Sequence, residues 1–223
     1  MKKQDFIVII GCVLFFGLFF VIEPLKEWFL TYSKGSYKDL MAFLKFGVLA
    51  TLGECIGLRI QKGVYNEKGF GILPRAIVWG ILGVTISMAI AISAFLLFLM
   101  NLGVTRTACF FNELLFVFAI SVSMNCIFAP VFMTFHKITD MHILSHGGTV
   151  GGFFCNRLNM SESFKKINWD VQWGFVFKKT IPFFWIPAHT ITFMLPPQFR
   201  VLFAAFLGVA LGVILSIAAR KKK

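Results

Sequence analysis

Few side chains in this sequence could do chemistry, and most of them lie in apolar surroundings. Glu54 sits between "LATLG" and "CIGL". An ionised carboxylate at the centre of a bilayer costs about 2.5–3.5 kcal/mol even on a lenient insertion scale, so Glu54 is expected to face a bundle interior or water. Gly47, Thr51, Glu54 and Gln61 follow offsets that share one helical face. Ser121 and Asn125 are four residues apart. Lys178, Pro182, Trp185, His189 and Thr192 follow spacings of four, three, four and three, a single stripe if the segment is an α-helix. Glu54, Gln61, Ser121, Asn125, Pro182, Trp185, His189 and Thr192 are therefore the candidates for a polar core or pore lining, with Arg59, Lys178 and Arg200 as cations at its rim.

A second cluster is His136, Asp140, His142 and His146 in "HKITDMHILSHGG". Two histidines at i and i+4 can share a helix face as zinc ligands do. Yet there is no H-E-x-x-H signature, and the glycine pair after His146 would end the helix. These four are weak metal candidates, and no metal or cofactor is expected. No Ser-His-Asp order, P-loop or dinucleotide fingerprint is present either. No catalytic residue is assigned, and an enzyme is not expected.

The elements that must position these residues are apolar spans. Of 223 residues 58% are hydrophobic and 14% charged, with a mean hydropathy of +0.81. Charged residues make up about a quarter of an ordinary soluble domain. The blocks 6–22, 43–58, 76–100, 114–135, 173–194 and 201–219 each approach the ~20 residues that cross ~30 Å of hydrocarbon as helix. Backbone polar groups in lipid must be satisfied within the segment, so helices are expected. The fold class predicted is an all-α integral membrane protein, a compact bundle of about six transmembrane helices. The first apolar run exceeds a signal-peptide core and reads as a retained span.

Charge gives the orientation. With six spans and both ends cytoplasmic, sixteen of the twenty-two lysines and arginines fall on the cytoplasmic side. The positive-inside bias then favours cytoplasmic N and C termini. The "RKKK" end is expected to meet anionic headgroups of the lipid bilayer. Nucleic acid is not an expected partner, because the positive charge is scattered over several loops. Homo-oligomerisation is left open. A bacterial plasma membrane and an organellar inner membrane fit the composition equally.

Prolines at 182 and 187 each remove a backbone donor, so 173–194 reads as a broken helix turned toward the bundle centre. Ala204, Gly208, Gly212 and Ser216 recur every four residues, a small-residue packing seam, with a looser version at Gly83, Ser87 and Ala91. Five cysteines show no C-x-x-C pair and read as inert thiols. Residues 136–171 read as the longest loop, with "NMSESFKKINWD" as a short surface helix.

The pieces "GECIGLRIQ", "MNCIFAPVF" and "WIPAHTITFMLPPQFR" resemble the twenty-two-kilodalton peroxisomal membrane protein family, which includes a mitochondrial inner-membrane protein. The family has Gly-Asp then Gln where this chain has Gly53-Glu54 and, at a longer spacing, Gln61. It has Asp-Gln before Phe-Ala-Pro, where this chain has Met124-Asn125 before Phe128-Ala129-Pro130. Its closing Trp-Pro, Gln, Asn-Phe, Val-Pro and Arg are followed here by Trp185, Pro187, His189, Thr192-Phe193, Leu195-Pro196 and Arg200. The family's histidine and aromatic pair in the intervening helix have no counterpart in "GILGVTISMAIAISAF". The resemblance spans roughly residues 37–219. It implies residues 1–36 as an additional N-terminal transmembrane helix and loop, and 37–223 as a family-like bundle with a cytoplasmic loop at 136–171.

The resemblance also implies a channel-like function. The expected activity is a small channel or facilitator for small polar solutes or ions, through a bundle-centre path lined by Glu54, Asn125 and His189. A non-transporting structural or assembly membrane protein is the alternative, and a metal-dependent membrane enzyme ranks last.

Overall fold

The structure is a computed structural model, and it describes residues 3–33, 35–99, 110–196, 199–200, 203, 206–208 and 210. The described residues form helices and connecting turns, with no strand among them. Contacts divide the chain into two units, Met1–Met41 and Ala42–Lys223. In the first, helix α1 (Lys3–Val21) is followed by α2 (Glu23–Tyr32), which opens with Pro24 where a missing N–H costs nothing, and by a short 3₁₀ turn, Gly35–Tyr37.

Helix α3 (Lys38–Lys62) crosses the division between units. The second unit continues with α4 (Ile72–Leu99), α5 (Phe110–Ser145), α6 (Val150–Cys155), α7 (Met160–Lys166) and α8 (Trp169–Val171). A π-helical segment, Gln172–Trp185, then leads without interruption into α9 (Ile186–Met194). Three stretches are long and apolar enough to cross a membrane: Gly35–Lys62, Ile72–Ile92 and Phe111–Ser145.

Glycine sets the spacing between α3 and α4. A Cβ on Gly80 would lie 2.6 Å from the Phe43 ring, one on Gly83 2.5 Å from Phe46, and one on Gly47 2.9 Å from the Ala76 carbonyl oxygen. Backbones thus approach closely along this seam, which includes Gly83 of the looser small-residue series at 83, 87 and 91. At Gly208 a Cβ would meet nothing within 4 Å, while Ala204, Gly212 and Ser216 lie outside the described residues. The core over the seam joins Phe46 and Ala50 of α3, Val78, Leu82 and Ile86 of α4, and Phe132 and Ile143 of α5. A second cluster joins Val117, Ile120 and Met124 of α5 to Ala89 and Phe193.

Much of 136–171 is helical, and α5 runs on to Ser145. It stops where Gly147 and Gly148 adopt positive φ (72° and 68°). The Gly148 backbone then packs against Gly69 and Gly71, leaving no room for a side chain. Short helices follow, each opened by an N-cap: Thr149 accepts from Gly152 N–H (2.9 Å), Asn159 from Glu162 N–H and Asn168 from Val171 N–H (both 3.2 Å). Within "NMSESFKKINWD", where a short helix was expected, lie α7 over Met160–Lys166 and the start of α8.

The broken helix takes a specific form. Over Gln172–Trp185 the chain bonds to the fifth residue back, as the Ile186 N–H does to the Ile181 carbonyl. Such winding puts residues four and five apart on one face, so the predicted 3.6-residue stripe does not hold there. Lys178 is exposed, whereas Gln172, Thr180 and Ile181 are buried.

Candidate functional site

A cavity of about 510 Å³ opens in the second unit. The face 50, 53, 54, 57, 58 and 61 of α3 forms one wall, and Arg75, Trp79 and Ile86 of α4 form another. Helix α5 supplies residues from Met124 to Asp140. Trp185 and His189 close the remaining side, with Gly208 beside them. Most of the lining is apolar. Its polar groups collect in two clusters, each built on α5.

The first cluster is ionic. Arg75, only 6% exposed, directs its guanidinium three ways. Nη1 donates to Glu54 Oε2 on α3, Nη2 pairs with Asp140 Oδ1 on α5, and Nε donates to the Phe70 carbonyl at 2.7 Å. Its Cζ lies 4.4 Å from the Phe70 ring centroid, so the cation also rests on an aromatic face. The second oxygen of Glu54, Oε1, accepts from Trp79 Nε1 (2.8 Å) and His136 Nε2 (3.2 Å). Trp79 lies against His136 with ring centroids 4.3 Å apart and planes tilted by 42°. Lys137 Nζ stands 3.7 Å from Asp140 Oδ2. A planar, permanently charged fork suits this task, since it meets two carboxylates and a carbonyl at once.

Glu54 is therefore not a lone acid at mid-span. It lies eight residues from the end of α3 and is answered by a cation in the first turn of α4. A mid-span acid calls for a cation, and Arg75 is the only basic residue between Lys68 and Arg106. That was the signal available in the sequence. His136 and Asp140 belong to this cluster. His142 Nε2 faces the Phe153 carbonyl (3.1 Å), and His146 Nδ1 lies 2.9 Å from the His142 carbonyl. No group of three metal-ligating side chains gathers among the described residues.

The second cluster is neutral. Asn125, fully buried, donates from Nδ2 to the Ser121 carbonyl (2.9 Å) and stands 2.9 Å from His189 Nδ1. A carbonyl can only accept, so the amide nitrogen is the atom facing it, and its other hydrogen points at Nδ1. Nδ1 also lies 3.3 Å from Asn125 Oδ1, but the amide nitrogen is the nearer atom, so His189 is assigned as accepting at Nδ1 with its proton on Nε2. The ring is held between Trp185 and Phe193, with centroids 5.1 and 5.8 Å away and near-parallel planes. Ser121 donates to the Ile186 carbonyl (2.7 Å), tying α5 to the start of α9.

Of the residues singled out from sequence, Glu54, Gln61, Asn125, Trp185 and His189 line the cavity. The others have different places. Thr192 is buried with its hydroxyl turned back to the Ala188 carbonyl (2.8 Å), and Ser121 is spent on Ile186. Pro182 lies half-buried off the lining because the π winding rotates it away from Trp185. The rim cations are not at the cavity. Arg59 donates to the Gly63 carbonyl and lies over Tyr65, and Arg200 donates to the Leu195 carbonyl (2.9 Å), both capping ends of chain segments. Arg75, Trp79, His136 and Asp140 were not anticipated as lining.

No family model, curated protein or solved structure matches the chain.

Proposed function

We propose that the chain is a channel-like membrane facilitator for small polar organic solutes, with the cavity as the chamber on its path. The observation that carries this reading is the cavity itself. Two separate polar clusters, Glu54–Arg75–His136–Asp140 and Asn125–His189, border one space at the meeting of four helical segments. The resemblance to the twenty-two-kilodalton peroxisomal membrane protein family points the same way. Six crossings with cytoplasmic termini follow from the charge distribution. On that topology the ionic cluster lies toward the cytoplasmic mouth. Helix α5, about 54 Å long at 1.5 Å per residue, is long enough to carry His136 and Asp140 beyond the hydrocarbon.

The charges bear on what passes. Glu54 and Asp140 are both engaged by Arg75, so neither is a bare anionic ring for cations. Between the clusters the wall is Phe128, Phe132, Ile86 and Met133, which opposes a hydrated ion. Neutral organic solutes are favoured over ions on both counts.

Reconstituted liposomes test this. Wild type is expected to pass small neutral solutes such as glycerol faster than sodium or chloride, and Ala129→Trp, which fills the cavity, is expected to slow them. Folded protein that passes neither solute nor ion contradicts the proposal. The scaffold alternative draws on the mutual pairing of the ionic cluster. It predicts that Ala129→Trp is harmless to function while substitutions in the Gly80 and Gly83 seam are not.

A further inference from the structure

The neutral cluster gives the same cavity a second property, distinct from the passage of small polar solutes, and it rests on the facilitator reading only for the cavity the two share. His189 lines the cavity, and Asn125 occupies its Nδ1. The ring's other contacts are the two stacked aromatics, and its Nε2 has no hydrogen-bond partner among the described residues. Nε2 is not among the sealed polar atoms either, and since His189 lines the cavity it opens on that space. A donor placed there is free to meet a ligand's acceptor.

We propose that the cavity is a binding site for a neutral, largely apolar organic molecule whose carbonyl oxygen accepts from His189 Nε2–H. The donor role follows from the Asn125 contact. Neutrality follows from the surroundings, since the cation of the lining, Arg75, is already shared between Glu54 and Asp140. Asn125 and His136 stand eleven residues apart on α5, about 16 Å along the axis, so the acceptor site is remote from those charges. An anionic head at His189 would lose its hydration with no cation to replace it. The apolar body lies against Trp185, Phe128 and Met124, aromatic and adaptable surfaces suited to a flat or chain-like molecule.

Acetophenone and ethylbenzene form a matched pair for the test, similar in shape and differing in the carbonyl. Binding to the full chain in nanodiscs is measured by equilibrium dialysis, with empty nanodiscs giving the lipid partitioning to be subtracted. Wild type is expected to prefer acetophenone about three- to tenfold, the range of one net hydrogen bond. His189→Phe, which keeps the stack and removes the N–H, is expected to abolish the preference, and His189→Gln, which restores an N–H, to recover part of it. Gel filtration of each variant reports folding, and His189→Leu, which also lacks the N–H, carries the test if His189→Phe does not fold. Equal binding of the two probes by wild type, binding of neither, or a preference unchanged in the folded variant that lacks the N–H overturns the proposal. Solute flux without the preference leaves the facilitator reading standing and removes this one. The preference without flux does the reverse.

Discussion

Arg75 and Glu54, twenty-one residues apart in the chain, meet side chain to side chain and join the first turn of α4 to the last third of α3. Through its other terminal nitrogen the same guanidinium holds Asp140 on α5. Three helices and the turn at Phe70 thus depend on one cation. Removing it leaves two carboxylates facing an apolar cavity. Arg75→Ala is expected to destabilise the protein by about 3–5 kcal/mol. Arg75→Lys is expected to recover only part of this, because an ammonium cannot reproduce the fork. Thermal unfolding in detergent, with Glu54→Gln as the second arm of a double-mutant cycle, measures the coupling. Additive effects of Arg75→Ala and Glu54→Gln would contradict the pairing.

The glycine seam gives a prediction independent of charge. Gly80→Val and Gly83→Val drive a side chain into Phe43 and Phe46 and are expected to cost about 1–3 kcal/mol or more through overpacking. Gly208→Ala is expected to be close to neutral, since open space surrounds that position. Melting temperatures of the three variants rank them, and a Gly208→Ala loss larger than that of Gly83→Val would contradict the placement of the seam.

Asn125 is tied at two points, to the Ser121 carbonyl and to His189. Asn125→Leu leaves Nδ1 of His189 without its donor and is expected to cost about 1–3 kcal/mol. It also frees the imidazole tautomer. Nitrogen-15 NMR of labelled histidine is expected to show one neutral tautomer for His189 in wild type and a mixture in the variant. The same mixture in both would contradict the assigned orientation.

The histidines of the α5 end were weak metal candidates, and their partners are now protein groups. Added zinc or a chelator is therefore expected to leave the melting temperature unchanged. A stabilisation by zinc that disappears in His142→Ala would contradict this.

Sequence reading was most successful where one physical rule dominated. Long apolar runs located α3, α4 and α5, because hydrocarbon thickness fixes helix length. Glu54, Asn125 and His189 stood out because polar groups in such runs need partners. The partners themselves were less legible. Arg75 looked like one more basic residue at a span end, and its burial depends on α5 delivering Asp140 from sixty-five residues away. The stripe through Lys178 and Pro182 failed for a local reason, since an i→i+5 winding changes which residues share a face. Of the small residues picked out by spacing, Gly83 lies with Gly47 and Gly80 where α3 and α4 approach, while most of the series in the last apolar block lies outside the described residues. Small residues at helical spacing permit contact without stating which helix arrives.

Thiol labelling of the cavity wall tests the central claim most directly. Ala129 lines the cavity and is buried, whereas its near neighbour Val131 is 70% exposed on the outer face of α5. In a background lacking the native cysteines, Ala129→Cys in sealed vesicles is treated with a small, polar, uncharged methanethiosulfonate from either side. The account predicts that Ala129→Cys is modified from both sides, and that Ala129→Trp slows solute flux under the same conditions. An Ala129→Cys thiol that stays unmodified from both sides in folded protein would contradict a path through the cavity.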